Sequence, residues 1–375
     1  MAQNEETAAA NPAAGPRKTD APLLLASSPH IGSPIVTQGL MCNVLIALAP
    51  VTIFGIILFG LPALLTVLVS VGSAVIAESL FRLITKQPVR AADLSAGVTG
   101  LLLALVLPPS TPLWMTALGA IFAVVVAKEF FGGLGANVFN PALVGRAFML
   151  MSFPAAVTTW HRPPGSFVTR LADYLNTSSI VDGVSGVTPL NIIKLGGSMH
   201  DVGRDFLTHA GLGASPEYWS TIQTLFIGSH AGCIGESSTL LILAGLVYLL
   251  ATKTIDWRAP LAMIATGFIA SLIFSGFDLP FGLFSILSGG ILFGAIFMAT
   301  DYVSTPITAK GKLIFGFGAG LITMLIRNWG SYPEGVMYGI LIMNALTPFL
   351  NRLLPRKYGF VEKKKPAAAV QGAAK

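Results

Sequence analysis

Ten apolar runs, most of them long enough to cross a bilayer, constrain this chain more than any other feature. They cover about 41–59, 62–84, 94–109, 112–129, 137–154, 233–252, 259–276, 282–300, 312–328 and 333–351. A spanning helix needs roughly 20 apolar residues, and fewer where neighbouring helices bury a broken one. Some neighbours are joined by very short turns, Gly60-Leu61-Pro62 and Phe277-Asp278-Leu279-Pro280 among them, and these force antiparallel hairpins. The pattern predicts an all-α polytopic membrane protein of ten transmembrane helices.

Composition agrees. Only 11% of the 375 residues are charged and 53% are hydrophobic, whereas a soluble domain carries about a quarter charged residues. An ordinary soluble enzyme is excluded, and so is a nucleic-acid-binding protein, despite a net charge of +6. The first 40 residues are polar or rich in Ala and Pro, and no apolar core stands near Met1, so no cleavable signal peptide is expected. Two cysteines, Cys42 and Cys233, cannot make a disulfide framework or a cysteine-rich metal site. They read as small apolar fillers, and the five histidines as structural or surface residues. Trp114, Trp160, Trp219, Trp257 and Trp329 read as interfacial belt residues.

The polar stretch 155–232, rich in Gly, Ser, Thr and Asn, divides the helices into five plus five. The expected organisation is an N-terminal segment 1–40, a first five-helix repeat 41–154, the connector 155–232, a second repeat 233–351 and a basic tail 352–375. Five is odd, so two equivalent halves run in opposite senses across the bilayer, as an inverted repeat. With the N-terminus in the cytoplasm, the outer side holds Arg162, Arg170, Lys194, Arg204 and Arg327. Arg146 falls within a helix, and the rest of the 23 basic residues are cytoplasmic. This asymmetry places both termini in the cytoplasm and the connector outside. The tail Lys363-Lys364-Lys365 then reads as a topology signal or a contact to anionic membrane lipids.

Three motifs carry chemistry. Asp182-Gly183-Val184-Ser185-Gly186-Val187-Thr188-Pro189-Leu190 is a turn-rich stretch of the connector with an accessible hydroxyl, and its plain reading is a surface loop. Phe130 to Ala142 contains Gly132, Gly133, Gly135, Asn137 and Asn140-Pro141. Asn140 reads as a helix cap with Pro141 in the first turn, and the two amides have the hydrogen-bonding capacity to meet a polar ring. Met298-Ala299-Thr300-Asp301-Tyr302-Val303-Ser304 puts an acid at a membrane helix end, either as a solvated interface residue or as a ligand contact. Glu78 stands one turn from Arg82 and reads as its partner. Lys128 and Glu129 do not share a face, so each needs its own partner. Glu236 also adjoins an apolar run.

The Asp-x-x-Ser-Gly-x-Thr pattern resembles the signal read by flavin transferases, which esterify FMN through its phosphate to the threonine. Here Val187 stands where alanine is usual. Ala26-Ser27-Ser28-Pro29-His30, Ala77-Glu78-Ser79-Leu80, Lys86-Gln87-Pro88-Val89 and Thr99-Gly100-Leu101-Leu102-Leu103-Ala104 resemble the D subunits of Rnf complexes. These are ion-translocating ferredoxin:NAD oxidoreductases. The three chemical motifs follow in the same order. The likeness covers roughly 25–355, and the B subunits of Na+-translocating NADH:quinone reductases share the last three motifs. The resemblance implies an electron-transfer subunit of a redox-driven translocase in a bacterial or archaeal cytoplasmic membrane, coupled to Na+ or H+ transport and without independent activity. It implies covalent FMN on Thr188, with Asp182, Ser185 and Gly186 in the attachment motif. It further implies noncovalent riboflavin near Asn137, Asn140 and Asp301. Implied partners are the A, B, C, E and G subunits of the Rnf complex and a flavin transferase; nucleic acid is not among them. No catalytic residue or metal site of the chain's own is implied. A channel or carrier of inverted-repeat fold, as in urea-type channels, and a B subunit of the quinone-reductase type are the alternative readings.

Overall fold

The computed structural model describes residues 36–88, 91–160, 188–194, 230–332 and 334–353, with residues 222, 225, 226 and 228. The helices belong to one unit, Thr37–Lys375, and no strand occurs among the described residues. In chain order they are α1 (Thr37–Phe59), α2 (Leu61–Ile84), α3 (Ser95–Leu105), α4 (Leu113–Val125), α5 (Pro141–Ser152), α6 (Pro154–Thr158) and α7 (Pro189–Lys194). Then come α8 (Thr239–Ala251), α9 (Arg258–Phe274), α10 (Leu279–Leu287), α11 (Ile291–Met298), α12 (Ala309–Trp329) and α13 (Val336–Leu350).

An apolar helix lies in every one of the ten runs, but the helices are less uniform than the runs. Four are long and apolar enough to cross a membrane: α1, α2, α12 and Leu113–Phe131, which extends α4. A fifth is the pair α10 and α11, bent by 63° at its break. The others, α3, α5, α8, α9 and α13, are shorter apolar helices. Sequence punctuation explains the shortening. Pro108 and Pro109 follow the end of α3, and Pro141 begins α5 with Asn140 accepting from Ala142 N and Leu143 N. Proline has no backbone N–H to continue a helix. The run that starts at 233 opens with a buried turn, Ile234–Glu236, before α8 begins. The short turns stand as expected: Gly60 at φ 75° separates α1 from α2, and Gly276 and Phe277, at φ 70° and 68°, separate α9 from α10.

Packing follows one scheme in both halves. In the first, α2 packs on α3 and α4, and α4 on α5. In the second, α9 packs on α10 and α12, and α12 on α13. The halves meet through α1 against α8 and α5 against α13. Within a lipid-like environment close backbone approach replaces the hydrophobic effect as the source of helix association. Gly320 on α12 provides that approach: a β-carbon there would stand 2.6 Å from the Met263 carbonyl of α9. Gly145 does the same for α5, facing the Gly119 carbonyl of α4 at 2.9 Å. Trp114, Trp257 and Trp329 are exposed at helix ends, but Trp160 is buried against Ala231 and Cys233; it is a packing residue rather than a belt residue. Trp219 lies outside the described residues.

Four charges are buried together where α2, α3 and the end of the Leu113–Phe131 helix converge. Lys128 donates to the Glu78 carboxylate at 2.7 Å and to Ser95 Oγ at 2.7 Å. Arg82 bonds Glu129 at 3.1 Å and lies only 3.9 Å from Glu78. The one-turn Glu78–Arg82 pair that spacing suggests is thus present, but only as the longest contact of the cluster, the closer partners being Lys128 for Glu78 and Glu129 for Arg82. The adjacent Lys128 and Glu129 point to different partners, as their angular offset requires. Outside the bundle, Asp256 in the α8–α9 turn joins Arg258 and Lys312 at 2.9 and 3.0 Å. Desolvation pushes this carboxyl up, but the hydrogen bonds and charge of Lys312 and Arg258 together outweigh it and hold the group below the usual aspartate range.

Removing one member of a buried pair leaves an uncompensated charge and costs about 3–5 kcal/mol, whereas replacing both with apolar residues is close to neutral. Glu78→Leu and Lys128→Met are each expected to lower thermal stability in detergent strongly. The double variant Glu78→Leu/Lys128→Met is expected to recover most of the loss, and additive losses in the cycle would show that the two do not act as a pair.

Candidate functional site

Two cavities flank the polar interior, one at the N-terminal end of α5 and one beside Glu334, which bonds Arg146 midway along α5. The larger is a cleft of about 60 Å3 at the N-terminal end of α5. Met41 and Val44 of α1, Val98 and Leu102 of α3, Leu249 of α8 and Ile296 and Phe297 of α11 form its apolar walls. Ser95, Lys128, Asn137, Asn140, Thr300, Asp301 and Tyr302 supply its polar atoms. The residues singled out in two separate sequence motifs, Asn137 and Asn140 in one and Asp301 in the other, are therefore brought to one place.

The roles of these three differ. Asn140 is buried, and both polar atoms of its amide are bonded within the protein. The oxygen caps α5, and the nitrogen donates to the Met298 carbonyl at 3.2 Å. It ties the two motifs together across 158 residues of sequence. Asn137 donates to the Phe139 carbonyl at 3.1 Å in its own turn, and its side chain also hydrogen-bonds Asp301. Asp301 accepts from Ser304 Oγ at 2.7 Å and lies half-buried at the cleft. Asn137 and Asp301 thus keep acceptor capacity toward the cleft, and Asn140 holds the walls.

Two contributors were not legible in the motifs. Asn344, fully buried in α13, accepts from Asn140 N at 3.1 Å and donates to the Ser304 carbonyl at 3.2 Å in the amide orientation that satisfies both groups. Thr347 adds a bond to the same Ser304 carbonyl at 2.8 Å. An isolated Asn and Thr one turn apart in an apolar helix is the only sequence signal for this. Lys128 is the other contributor, and its ammonium reaches the cleft because α3 starts at Ser95 beside it.

The smaller cavity is lined by Trp160, Thr188, Pro189, Leu190, His230, Ala231, Glu236, Gly289 and Glu334. Thr188 is half-buried at the N-terminus of α7, and its hydroxyl oxygen accepts from Asn191 N at 3.3 Å. This helix cap uses a lone pair and not the hydroxyl proton. Asp182, Ser185 and Gly186 lie outside the described residues. Behind the cavity, Arg146 of α5 bonds Glu334 at 3.0 Å. Cys233 donates to the Val106 carbonyl at 3.0 Å. Asn140 and Arg146 are six residues apart on α5, about 9 Å along its axis, so the level of the Arg146–Glu334 pair is offset from the cleft by nearly two turns.

The family model described as NQR2, RnfD, RnfE family matches residues 24–359. The D subunit of the proton-translocating ferredoxin:NAD(+) oxidoreductase complex of Clostridium ljungdahlii is 40% identical over 339 residues, which are 89% of this chain and 96% of the relative. The D subunit of the Na(+)-translocating ferredoxin:NAD(+) oxidoreductase complex of Acetobacterium woodii is 40% identical over 350 residues, 92% and 98% of the two chains. The D subunit of the ion-translocating oxidoreductase complex of Escherichia coli O127:H6 is 36% identical over 359 residues, 89% and 98%. With the cleft and the Thr188 cavity arranged as described, these likenesses across nearly the whole length establish that the chain belongs to the NQR2, RnfD, RnfE family, as a D subunit of the Rnf type.

Proposed function

We propose that this subunit relays electrons through two flavins, a covalent FMN on Thr188 and a noncovalent riboflavin in the cleft at Asn137 and Asp301. The observation that carries the reading is the pair of cavities itself: one takes Asn140 and Pro141 at the start of α5 into its wall, the other takes Glu334, which bonds Arg146 midway along α5, and each has sequence-predicted site groups in its lining. A flavin, when bound, supplies one- and two-electron redox chemistry with a change of charge. Everything else is the work of the chain: binding, orientation and electrostatic compensation.

The residues fit both groups. At Thr188 the hydroxyl proton is not used by the helix cap, so an ester there leaves the cap intact. In the cleft, apolar walls from four helices suit a flat aromatic ring, and Asn137, Asp301 and Thr300 offer polar contacts at its edge. Lys128 presents a positive charge, compensated from behind by Glu78. A cation in a low-dielectric wall favours negative charge on whatever occupies the cleft. Asn140, already bonded through both polar atoms of its amide, acts as a positioning residue rather than a contact.

The matching helix-packing scheme of the two halves, with α1 meeting α8 and α5 meeting α13, supports ten membrane crossings related as an inverted repeat. In that arrangement the bent and short helices count as spans because neighbours satisfy their backbone. Both termini are then cytoplasmic and the connector with Thr188 faces outward, which fits the count of basic residues on the two sides. The divisions 1–40, 41–154, 155–232, 233–351 and 352–375 follow from it. The names of the relatives support an assembly with the A, B, C, E and G subunits of an Rnf complex in a bacterial or archaeal membrane, with Na+ or H+ as the coupling ion. A flavin transferase completes the set of partners.

The denatured chain is expected to fluoresce as a flavin in a gel and to lose that signal in Thr188→Val; a signal that survives would put the covalent flavin elsewhere. Asn344→Leu removes the shared support of Asn140 and Ser304. A buried group left unpaired costs about 1–3 kcal/mol. This variant is expected to lose flavin released by denaturation while keeping the fluorescent band. Equal loss of both would mean that the substitution acts on the whole fold.

A further inference from the structure

We propose that Glu236 and Glu334 form a binding site for a monovalent cation, a proton or Na+, at the break between α10 and α11. The ligand class rests on the reading of this chain as part of an ion-translocating complex, and one relative is named for protons and another for Na+. The geometry rests on this chain alone.

The break is Ser288-Gly289-Gly290, with Gly289 at φ 70°. Arg327 of α12 is buried and donates to the Ser285 carbonyl at 2.6 Å and to the Ser288 carbonyl at 3.3 Å. Its Nη1 and Nη2 are thus committed to the end of α10, while its Nε has no hydrogen-bond partner among the described residues. Glu334 accepts from Gly290 N at 2.7 Å through one oxygen and from Arg146 at 3.0 Å through the other. Both of its oxygens are engaged. Glu236 differs. It is 7% exposed, lines the cavity, and its Oε1 has no hydrogen-bond partner among the described residues, the carboxyl's side-chain hydrogen bonds being to its neighbours Cys233 and Glu334. No ion pair to Glu236 occurs among the described residues either, since the salt bridge of this cluster runs from Arg146 to Glu334.

A buried carboxylate oxygen without a partner is expensive. It is relieved by a proton or by a hard cation, and carboxylate oxygens are the ligands such cations take. A second carboxylate stands beside it: oxygens of Glu236 and Glu334 and the Cys233 sulfur lie within 4.8 Å of one another. Gly290 leaves room for the oxygen. A β-carbon at 290 would stand 2.8 Å from Glu236 Oε1 and 3.5 Å from the Glu236 carboxyl carbon. The groups facing the pair are Arg146 from α5, Arg327 from α12, and His230 and Cys233 from the segment before α8. Two fixed cations compensate two carboxylates only when both are ionised. Proton uptake at Glu236 therefore leaves a net positive cluster, and so does Na+ uptake. This makes occupancy sensitive to negative charge arriving nearby, and Thr188 lines the same cavity.

The purified full chain in lipid nanodiscs tests the site by infrared difference spectroscopy. Na+ is exchanged for choline at fixed pH, and pH is stepped at fixed Na+. A carboxyl signal that responds to Na+ assigns the site to Na+, and one that responds to pH alone assigns it to the proton; in either case it is expected to be absent in Glu236→Gln. Gly290→Ala, whose φ of −81° accepts alanine, is expected to shift the midpoint by on the order of tenfold in cation concentration by crowding the oxygen. No response in either titration, or the same response in Glu236→Gln, overturns the proposal. If Glu236→Gln does not fold, Glu236→Asp replaces it, and unchanged midpoints in both Glu236→Asp and Gly290→Ala overturn it equally. The gel fluorescence of the Thr188 band is scored on the same samples, so failure of the flavin reading and failure of the cation site remain separate results.

Discussion

Arg327 makes the second half of this chain possible. A helix broken in an apolar medium exposes carbonyls that water cannot reach, and each one left unsatisfied costs several kcal/mol. Arg327 reaches from α12 to the two carbonyls at the end of α10, and Glu334 takes the first N–H after the break. The first half meets the same demand differently. There α3 ends before Pro108, and the segment ahead of α8 supplies Ile234 N to the Leu107 carbonyl at 3.3 Å and the Cys233 thiol to the Val106 carbonyl. Both breaks are therefore closed by residues from distant elements. The interior acquires polar groups because the backbone needs them, and the Thr188 cavity is built beside the same groups.

This arrangement explains why the two cavities differ. The cleft at Asn137 and Asp301 is walled by intact helices, and its polar atoms come from caps and turns at helix ends. Asn140 and Asn344 brace those turns against each other. Such a site is rigid because each support is a buried amide bonded through both of its polar atoms. The Thr188 cavity sits on a break instead, where charge is dense and partners are shared. A site of that kind responds to changes in charge, because the arginines there serve both the backbone and the carboxylates.

Much of this was legible in the sequence, for physical reasons that differ by element. Each of the ten apolar runs holds an apolar helix or, at 282–300, a bent pair, because hydropathy follows the burial of a segment directly. Asn140 as a cap with Pro141 behind it was legible because capping is local. The bend at Ser288-Gly289-Gly290 was not, since two glycines in an apolar run are equally compatible with close helix packing. Nor were the partners of Glu78 and Lys128: spacing on one helix favours Glu78–Arg82, and the choice of Lys128 depends on where α3 begins. Trp160 looked interfacial by its place next to a polar stretch, yet Ala231 and Cys233 bury it. Asn344 and Thr347 carry no motif at all, because their function is to satisfy carbonyls and amides that only folding brings near.

The distribution of charge gives the last step. Sparse charges in a chain with 11% charged residues cannot be incidental when they lie at 1% to 8% exposure, as Glu78, Arg82, Lys128, Glu129, Glu236 and Arg327 do. With Arg146 and Glu334 they form two groups, one beside each cavity, and each contains two acids and two bases. Near balance is what a low-dielectric interior demands at rest. An electron placed in either cavity upsets it by one unit, at a distance where screening by water is weak. The chain can restore balance only by taking up a cation or by rearranging its pairs. Lys128 is locked to Glu78 and Ser95, so the cleft has little room to rearrange, whereas Glu236 keeps an oxygen without a partner among the described residues. On the reading proposed above, the physical asymmetry between the two groups would direct cation exchange to the Glu236 end.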